Sequence, residues 1–281
     1  MTKLLSANFL RLRKSNTFWG SLGVCVGLGI LSALDGVSFV TDNGSEPLVG
    51  AATLEVKFFQ YAAFIGILAA EFIALFLGTE YSDGTIRNKI AVGHSRLSIY
   101  FANLITGFAA SALCMVGYML SCLAVGAPLQ GWFTKPAPLL LTAIAGSVLM
   151  LAAFCAIFTF VTMNISRKST SVMVCLLGVF LLFMLAIYLY ARLDAPEFIE
   201  NYTLSVNGQV TASAPEPNPQ FLQPAERVIC QFVYDLLPTG QAVQYCSLLF
   251  TDPARLMGLA AAVTALFTGA GAALFRKKDL K

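Results

Sequence analysis

The stretch "GTEYSDGTIRNKIAVGHSRLSIY", Gly78 to Tyr100, interrupts an otherwise apolar chain. Before it, Phe58–Leu77 is apolar apart from Gln60 and Glu71; after it, Phe101–Val125 carries no charge. An insert bearing Glu80, Asp83, Arg87, Lys89, His94 and Arg96 between two such runs reads as a polar connection between membrane-crossing helices. Its role depends on which side of the membrane it faces.

Hydrophobic residues make up 57% of the 281 positions, charged residues 12%, and the mean hydropathy is +0.75. That charge content is about half of what a soluble domain carries. Six apolar runs of membrane-crossing character stand out: Phe18–Leu34, Phe58–Leu77, Ile99–Val125, Pro138–Met163, Thr170–Ala191 and Ala254–Phe275. Long unbroken runs satisfy their backbone within one helix, whereas barrel strands would alternate over about 10 residues. The fold class is therefore an all-α integral membrane protein with six transmembrane helices, forming one transmembrane domain over 1–281.

Basic residues set the orientation. With both ends on one side, that side holds 13 of them: Lys3, Arg11, Arg13, Lys14, Arg87, Lys89, Arg96, Arg167, Lys168, Arg276, Lys277, Lys278 and Lys281. The other side holds 5, namely Lys57, Lys135, Arg192, Arg227 and Arg255. Both termini and the 78–98 segment are thus expected in the cytoplasm, with 35–57 and 192–253 outside. The net charge of +3 hides this asymmetry and gives no sign of nucleic-acid binding. The basic start followed by an apolar run reads as an uncleaved anchor rather than a signal peptide. Within 3–14, Leu5, Phe9 and Leu12 share a helical face opposite Arg11, Arg13 and Lys14. This suits an amphipathic helix in the cytoplasmic interface, and a basic arm is the other reading.

Val228–Phe250 is apolar enough to pass for a seventh span. Asp235 and the Pro238–Gly240 break argue against it, as does the charge rule, which a seventh crossing would reverse for the basic tail. Two short helices joined at Pro238–Gly240, resting on or dipping into the outer leaflet, are expected instead. Arg192–Pro224 reads as loop, because "APEPNPQ" lacks donors.

Catalytic signatures are missing from the sequence. There is no Walker A pattern, HExxH, CxxC, GxSxG or dinucleotide glycine fingerprint. His94 is the only histidine, and it reads as a solvated loop residue. No enzyme site, cofactor or metal is expected in this chain. Cys25, Cys114, Cys122, Cys155 and Cys175 fall within spans, where cysteine acts as a small apolar residue. Small residues recur at Gly20, Gly23 and Gly27, and at Gly258, Ala262, Ala265 and Gly269, fitting close packing within or between subunits.

The opening stretch can now be read. Ser82 or Asp83 supplies a helix start signal. Ile86 and Ile90 share one face, while Arg87 and Asn88 point away. Both a short amphipathic helix and a solvated loop fit. "GTEYSDGTIRNKIAVGHSR" resembles the segment after the second span in permease subunits of type-2 ATP-binding-cassette exporters, typified by bacterial antibiotic- and peptide-resistance transporters. The basic start, six spans, large element before the last span and tail "FRKKDLK" extend the likeness. The resemblance implies a coupling helix docking on a separate ATPase, with Glu80, Tyr81, Gly84, Thr85, Ile86, Arg87, Asn88 and Lys89 carrying that role. It also implies two ATP-binding subunits supplying ATP and Mg, a second permease (homo- or heterodimer), and a place in a bacterial plasma membrane. The substrate would be an antimicrobial peptide, an antibiotic or a similar amphiphile. A membrane-bound immunity or sensing protein that binds a peptide at 192–253 without transport is the alternative.

Two further sets carry expectations. Glu71 lies in mid-span, where a carboxylate should face protein or water. Gln60 lies three helical turns earlier on the same face, so the pair either lines a cavity or bonds to neighbouring helices. Cys230 and Cys246 flank the Pro238–Gly240 break symmetrically. A hairpin there would bring the sulfurs level, and a bridge would add roughly 3 kcal/mol; apolar filling is the other reading.

Overall fold

A computed structural model describes residues 1–41, 53–199, 202–204, 210–212, 216–250 and 252–278. Eleven helices are described: α1 (Thr2–Arg13), α2 (Asn16–Thr41), α3 (Leu54–Phe59), α4 (Ala62–Ser82), α5 (Thr85–Ala91), α6 (Arg96–Gln130), α7 (Ala137–Asn164), α8 (Lys168–Asp194), α9 (Pro224–Leu236), α10 (Pro238–Ser247) and α11 (Pro253–Lys277). Six helical stretches are long and apolar enough to cross a membrane, counting α3 and α4 as one. The all-α membrane class holds. Residues 42–52 of the expected first outside loop, 35–57, and the last tail residues, 279–281, lie outside the described residues.

The bundle is built around α4, which packs against α2, α6, α7, α8 and α10. Small side chains permit this: Ala62, Gly66, Ala69, Ala70 and Ala74 are all buried along it. In lipid there is little hydrophobic drive between helices, so close packing and polar contacts hold them together. On the flanks, α2 lies along α6 and α11 along α7. The far face of α8 leaves Leu177, Phe180, Leu181, Met184 and Ile187 exposed, as the outside of a membrane bundle requires.

The second span is not one regular helix. At Gln60–Tyr61 the backbone tightens, with Gln60 N bonding Lys57 O at 3.3 Å and Ala63 N bonding Gln60 O at 3.1 Å. Bonds of this shorter reach wind the chain at about 3.0 residues per turn instead of 3.6, which breaks the register expected to align Gln60 with Glu71. Gln60 instead takes the Ser32 hydroxyl of α2 at 2.7 Å, while Glu71 is half-buried in α4.

The region before the last span departs most from expectation. Arg192–Pro224 reads as loop from sequence, yet its described residues include two short antiparallel ladders: β1 (Phe198–Ile199) pairs with β4 (Glu216–Pro217), and β2 (Tyr202–Leu204) with β3 (Val210–Ala212). Pro217 stands at the edge of a two-stranded piece, where its missing donor costs little. The helix break falls at Leu237, whose backbone is extended, and Pro238 opens α10. Of the two expected placements, resting on the leaflet or dipping into it, α10 fits the second in being inserted among α3, α4, α7 and α8, and Pro238–Ala242, Gln244 and Tyr245 are all buried.

Polar pairing makes that insertion tolerable. Thr239 Oγ1 donates to Leu182 O at 2.9 Å, and Gln241 Nε2 to Asp235 O at 2.8 Å. The Asp235 carboxylate accepts from Gln231 at 2.8 Å and Gln244 at 3.1 Å and pairs with Arg255 at 3.2 Å. The residue that ruled out a seventh lipid-facing span thus serves as the junction of α9, α10 and α11. Of the two readings of Cys230 and Cys246, the structure holds the unbridged one, with both as free thiols. Because α10 turns into the bundle, Cys246 packs against the main core. Cys230 stays in the outer cluster with Tyr234 and Leu222.

Gly240 fixes how closely α10 meets α9, since a Cβ there would lie 2.0 Å from the Tyr234 carbonyl oxygen. Backbone cannot yield as a side chain can. Gly240→Ala is expected to cost about 1–3 kcal/mol, as overpacking does, lowering the melting temperature of the detergent-solubilised protein. An unchanged melting temperature would show that α9 and α10 part freely.

Candidate functional site

Glu80 is in the last turn of α4, and its side chain is fully buried. A buried carboxylate needs partners on both oxygens. Oε1 accepts from Arg11 of α1 and from Lys89 Nζ of α5, and Oε2 accepts from Asn103 Nδ2 of α6 at 2.9 Å. Asn103 Oδ1 then accepts from Asn8 Nδ2 of α1 at 2.8 Å, and Asn8 Oδ1 accepts from Lys89 Nζ at 3.0 Å. Glu80, Asn103, Asn8 and Lys89 thus form a closed ring joining four helices. Arg11 braces it from the side, donating to Phe76 O at 2.7 Å with its guanidinium 3.7 Å from the Phe76 ring centroid.

Local structure explains how α5 reaches this ring. Asp83 ends α4, and Gly84 takes a left-handed conformation (φ 67°) that L side chains rarely adopt. The chain reverses there and α5 begins at Thr85, whose hydroxyl donates to Glu80 O at 3.1 Å. The helix cap therefore falls on Gly84, and the expectation at Ser82 or Asp83 is corrected. The Ser82 hydroxyl bonds Thr79 O within α4. Ile86 is buried and Ile90 packs beside it, whereas Arg87 and Asn88 are exposed. After α5, Ser95 caps α6 by accepting from Ser98 N at 3.2 Å, and His94 is half-buried in the turn.

Burial holds the Lys89 ammonium below the usual lysine range; the Glu80 carboxylate opposes that shift, and Arg11 adds to it. Because its folded value lies below the unfolded one, charged Lys89 carries a burial cost. That cost is present below the folded value and fades as pH rises towards the unfolded one. Glu80 limits the cost.

A second anchor lies next to the ring. Tyr81 donates to Met163 O of α7, and Lys278 donates to Met163 O at 3.0 Å and to the Tyr81 hydroxyl at 3.2 Å. Burial lowers Lys278 to about 8. Arg96 at the start of α6 reaches the backbone of Arg276 and Lys278. The basic tail is thus stitched to the same end of the bundle as α5.

Of the eight residues expected to carry coupling, Glu80, Tyr81 and Lys89 face inward as anchors, Gly84 and Thr85 build the turn, and Ile86 plugs the core. Arg87 and Asn88 alone face outward. The N-terminal helix is also re-registered. Its buried face is Leu4, Asn8 and Leu12, Phe9 is exposed, and Arg11, expected to face away from the bundle, reaches inward to Glu80. The sequence reading missed Asn8, Arg11 and Asn103 as partners of Glu80. Their signal was present: a lone asparagine in each of two apolar stripes.

The statistical model of the ABC-2 family transporter proteins matches residues 4–197. The chain belongs to that family. No curated protein matches it. The matched region runs from α1 through α8 and contains every member of the Glu80 ring, while α9–α11 lie beyond it. An ABC-2 chain is the membrane component of an ATP-binding-cassette transporter, and its family normally works with an ATP-binding subunit. This chain is accordingly a multi-pass membrane protein of transport.

Removing the carboxylate would leave a half-buried lysine and an arginine facing each other. Glu80→Ala is expected to lose on the order of 3 kcal/mol of stability. Asn103→Ala, which removes a neutral member, is expected to lose about 1–2 kcal/mol. Melting curves in detergent compare the two, and equal small losses would show that Glu80 is not the centre of the cluster.

Proposed function

We propose that this ABC-2 permease is the translocation subunit of an ATP-driven exporter and that α5 is its coupling helix. One feature carries the reading: α5 is tied to the bundle on its inner side and presents Arg87 and Asn88 outward. Arg87 has no carboxylate partner among the described residues, leaving its guanidinium available to an acidic surface on an ATP-binding subunit.

Force applied to α5 has two routes into the bundle. Lys89 passes it to Glu80 and hence to α4, which touches α2, α6, α7, α8 and α10. Asn8 and Asn103 pass it to α1 and α6. Rigid links matter because a solvated loop would absorb the displacement. Two permeases and two ATP-binding subunits would complete the assembly, with ATP and Mg held by the latter. Closing and reopening of the ATPase pair would alternate access through the bundle. Basic-residue bias supports a cytoplasmic location for α5 and both termini. Gln60, in the turn between α3 and α4, and Glu71 of α4 are the candidate lining of the path. An antimicrobial peptide, antibiotic or similar amphiphile is the substrate class suggested by the family resemblance.

The test is Arg87→Glu. It leaves the buried ring untouched, so the melting temperature of the isolated permease should hold. Co-purification with the ATP-binding subunit is expected to fall at least roughly tenfold, the loss that follows from about 1.4 kcal/mol of interface energy. Unchanged association and unchanged ATP hydrolysis by the complex would remove α5 as the docking element.

A further inference from the structure

At the end of α4 that carries the Glu80 ring, a cleft of about 730 Å³ lies between α4 and the start of α8. That volume falls in the range of small-molecule sites. Its mouth is formed by Arg167, Lys168 and Ser169, and its apolar wall by Leu75 of α4 with Val172 and Met173 of α8. Lys168 is held in place across Gly78, where a Cβ would come 2.9 Å from the lysine Cγ.

The charges at the mouth are unspent. Neither Arg167 nor Lys168 pairs with a carboxylate among the described residues. Their position compounds the positive field. Lys168 opens a 27-residue helix whose first turn holds no acidic residue, so no carboxylate offsets the positive end of that helix beside the same mouth. Below the mouth the surface changes character within one helical turn, and Met173 is 63% exposed on the flank of the bundle. Cations and donors at the end of two membrane-crossing helices, above an apolar wall open to the side, match an amphiphile with an anionic head.

We propose that this cleft binds one anionic phospholipid, its phosphate on Arg167 and Lys168 and an acyl chain along Leu75, Val172 and Met173. A free phosphate would make no use of the apolar wall, and a neutral lipid would leave the two cations unanswered. The bound lipid bridges α4 to α8 beside the Glu80 ring, so membrane composition would bear on the element that α5 moves.

Native mass spectrometry of the intact chain in mild detergent tests this, with phosphatidylglycerol and phosphatidylcholine of identical acyl chains as probes. The wild type is expected to retain one phosphatidylglycerol in preference to phosphatidylcholine. Arg167→Gln with Lys168→Gln should weaken phosphatidylglycerol roughly 30-fold, two surface cations' worth, and leave phosphatidylcholine unchanged. Met173→Trp, which narrows the apolar wall without altering charge, should also weaken phosphatidylglycerol. Arg13→Gln with Lys14→Gln, at exposed positions of the same end, should not. Equal retention of both lipids by the wild type overturns the proposal. So does an equal loss in the Arg13/Lys14 variant, which would reflect diffuse surface charge. Displacement of phosphatidylglycerol by millimolar inorganic phosphate, with Met173→Trp silent, would assign the mouth to free phosphate instead. All substituted positions except Lys168 are exposed, and melting curves confirm that each variant is folded.

Discussion

Glu80 has its carboxylate where neither water nor lipid can reach it, and the fold at that end of the bundle follows from this constraint. A buried carboxylate is stable only when its oxygens are filled and its charge is balanced. Arg11, Lys89 and Asn103 meet those needs from three different helices, and Asn8 closes the circuit. Each partner gives up freedom to do so. The N-terminal helix lies against α6, and α5 folds back under α4 with its apolar side chains inward. Glu80 stabilises the end of the bundle less through net energy than by fixing which helices touch. A buried ionic cluster gains little over an apolar one but penalises every arrangement that leaves a charge unpaired.

The same logic operates at the opposite end of the chain's polar inventory. Asp235 gathers Gln231, Gln244 and Arg255 and lets α10 enter the bundle, where an apolar helix of ten residues would gain little from lipid-like surroundings. Between these two polar clusters the protein relies on shape. The alanines and Gly66 of α4 let neighbouring helices close on it from several sides. A central helix with small-residue packing along its middle and polar ties at its end is tied to α5 at that end alone. The family to which this chain belongs normally works with an ATP-binding subunit.

The sequence made the membrane class legible because long apolar runs admit few structures, and the 78–100 interruption stood out against them. The helices run slightly past the apolar runs, α6 reaching Gln130 and α2 reaching Thr41, since a helix continues until a glycine, proline or change of surroundings stops it. What stayed hidden was partnership across distance. Arg11 looked solvent-facing because helical periodicity shows which residues share a face, not how far a long side chain reaches back. Asn103 belonged to a span read only for its lack of charge. The spacing of Gln60 and Glu71 assumed one unbroken helix, and a tightened turn removed that assumption. Cys230 and Cys246 looked symmetric about a proline, yet α10 turns into the core while α9 stays outside it.

Hydrogen–deuterium exchange of the wild type and Glu80→Gln tests the central claim most directly, that one buried carboxylate holds α1, α4, α5 and α6 as a unit. The substitution keeps the size and an acceptor oxygen but removes the charge on which Arg11 and Lys89 converge. Amide exchange in α1 (Thr2–Arg13) and α5 (Thr85–Ala91) is expected to rise together, by roughly tenfold or more, for a loss of about 1.4 kcal/mol of local opening energy. Exchange in α7, which is not tied to Glu80, should stay as it was. Loosening of α5 with α1 still fully protected would contradict the account, because the two helices would then be held independently of the charge they share.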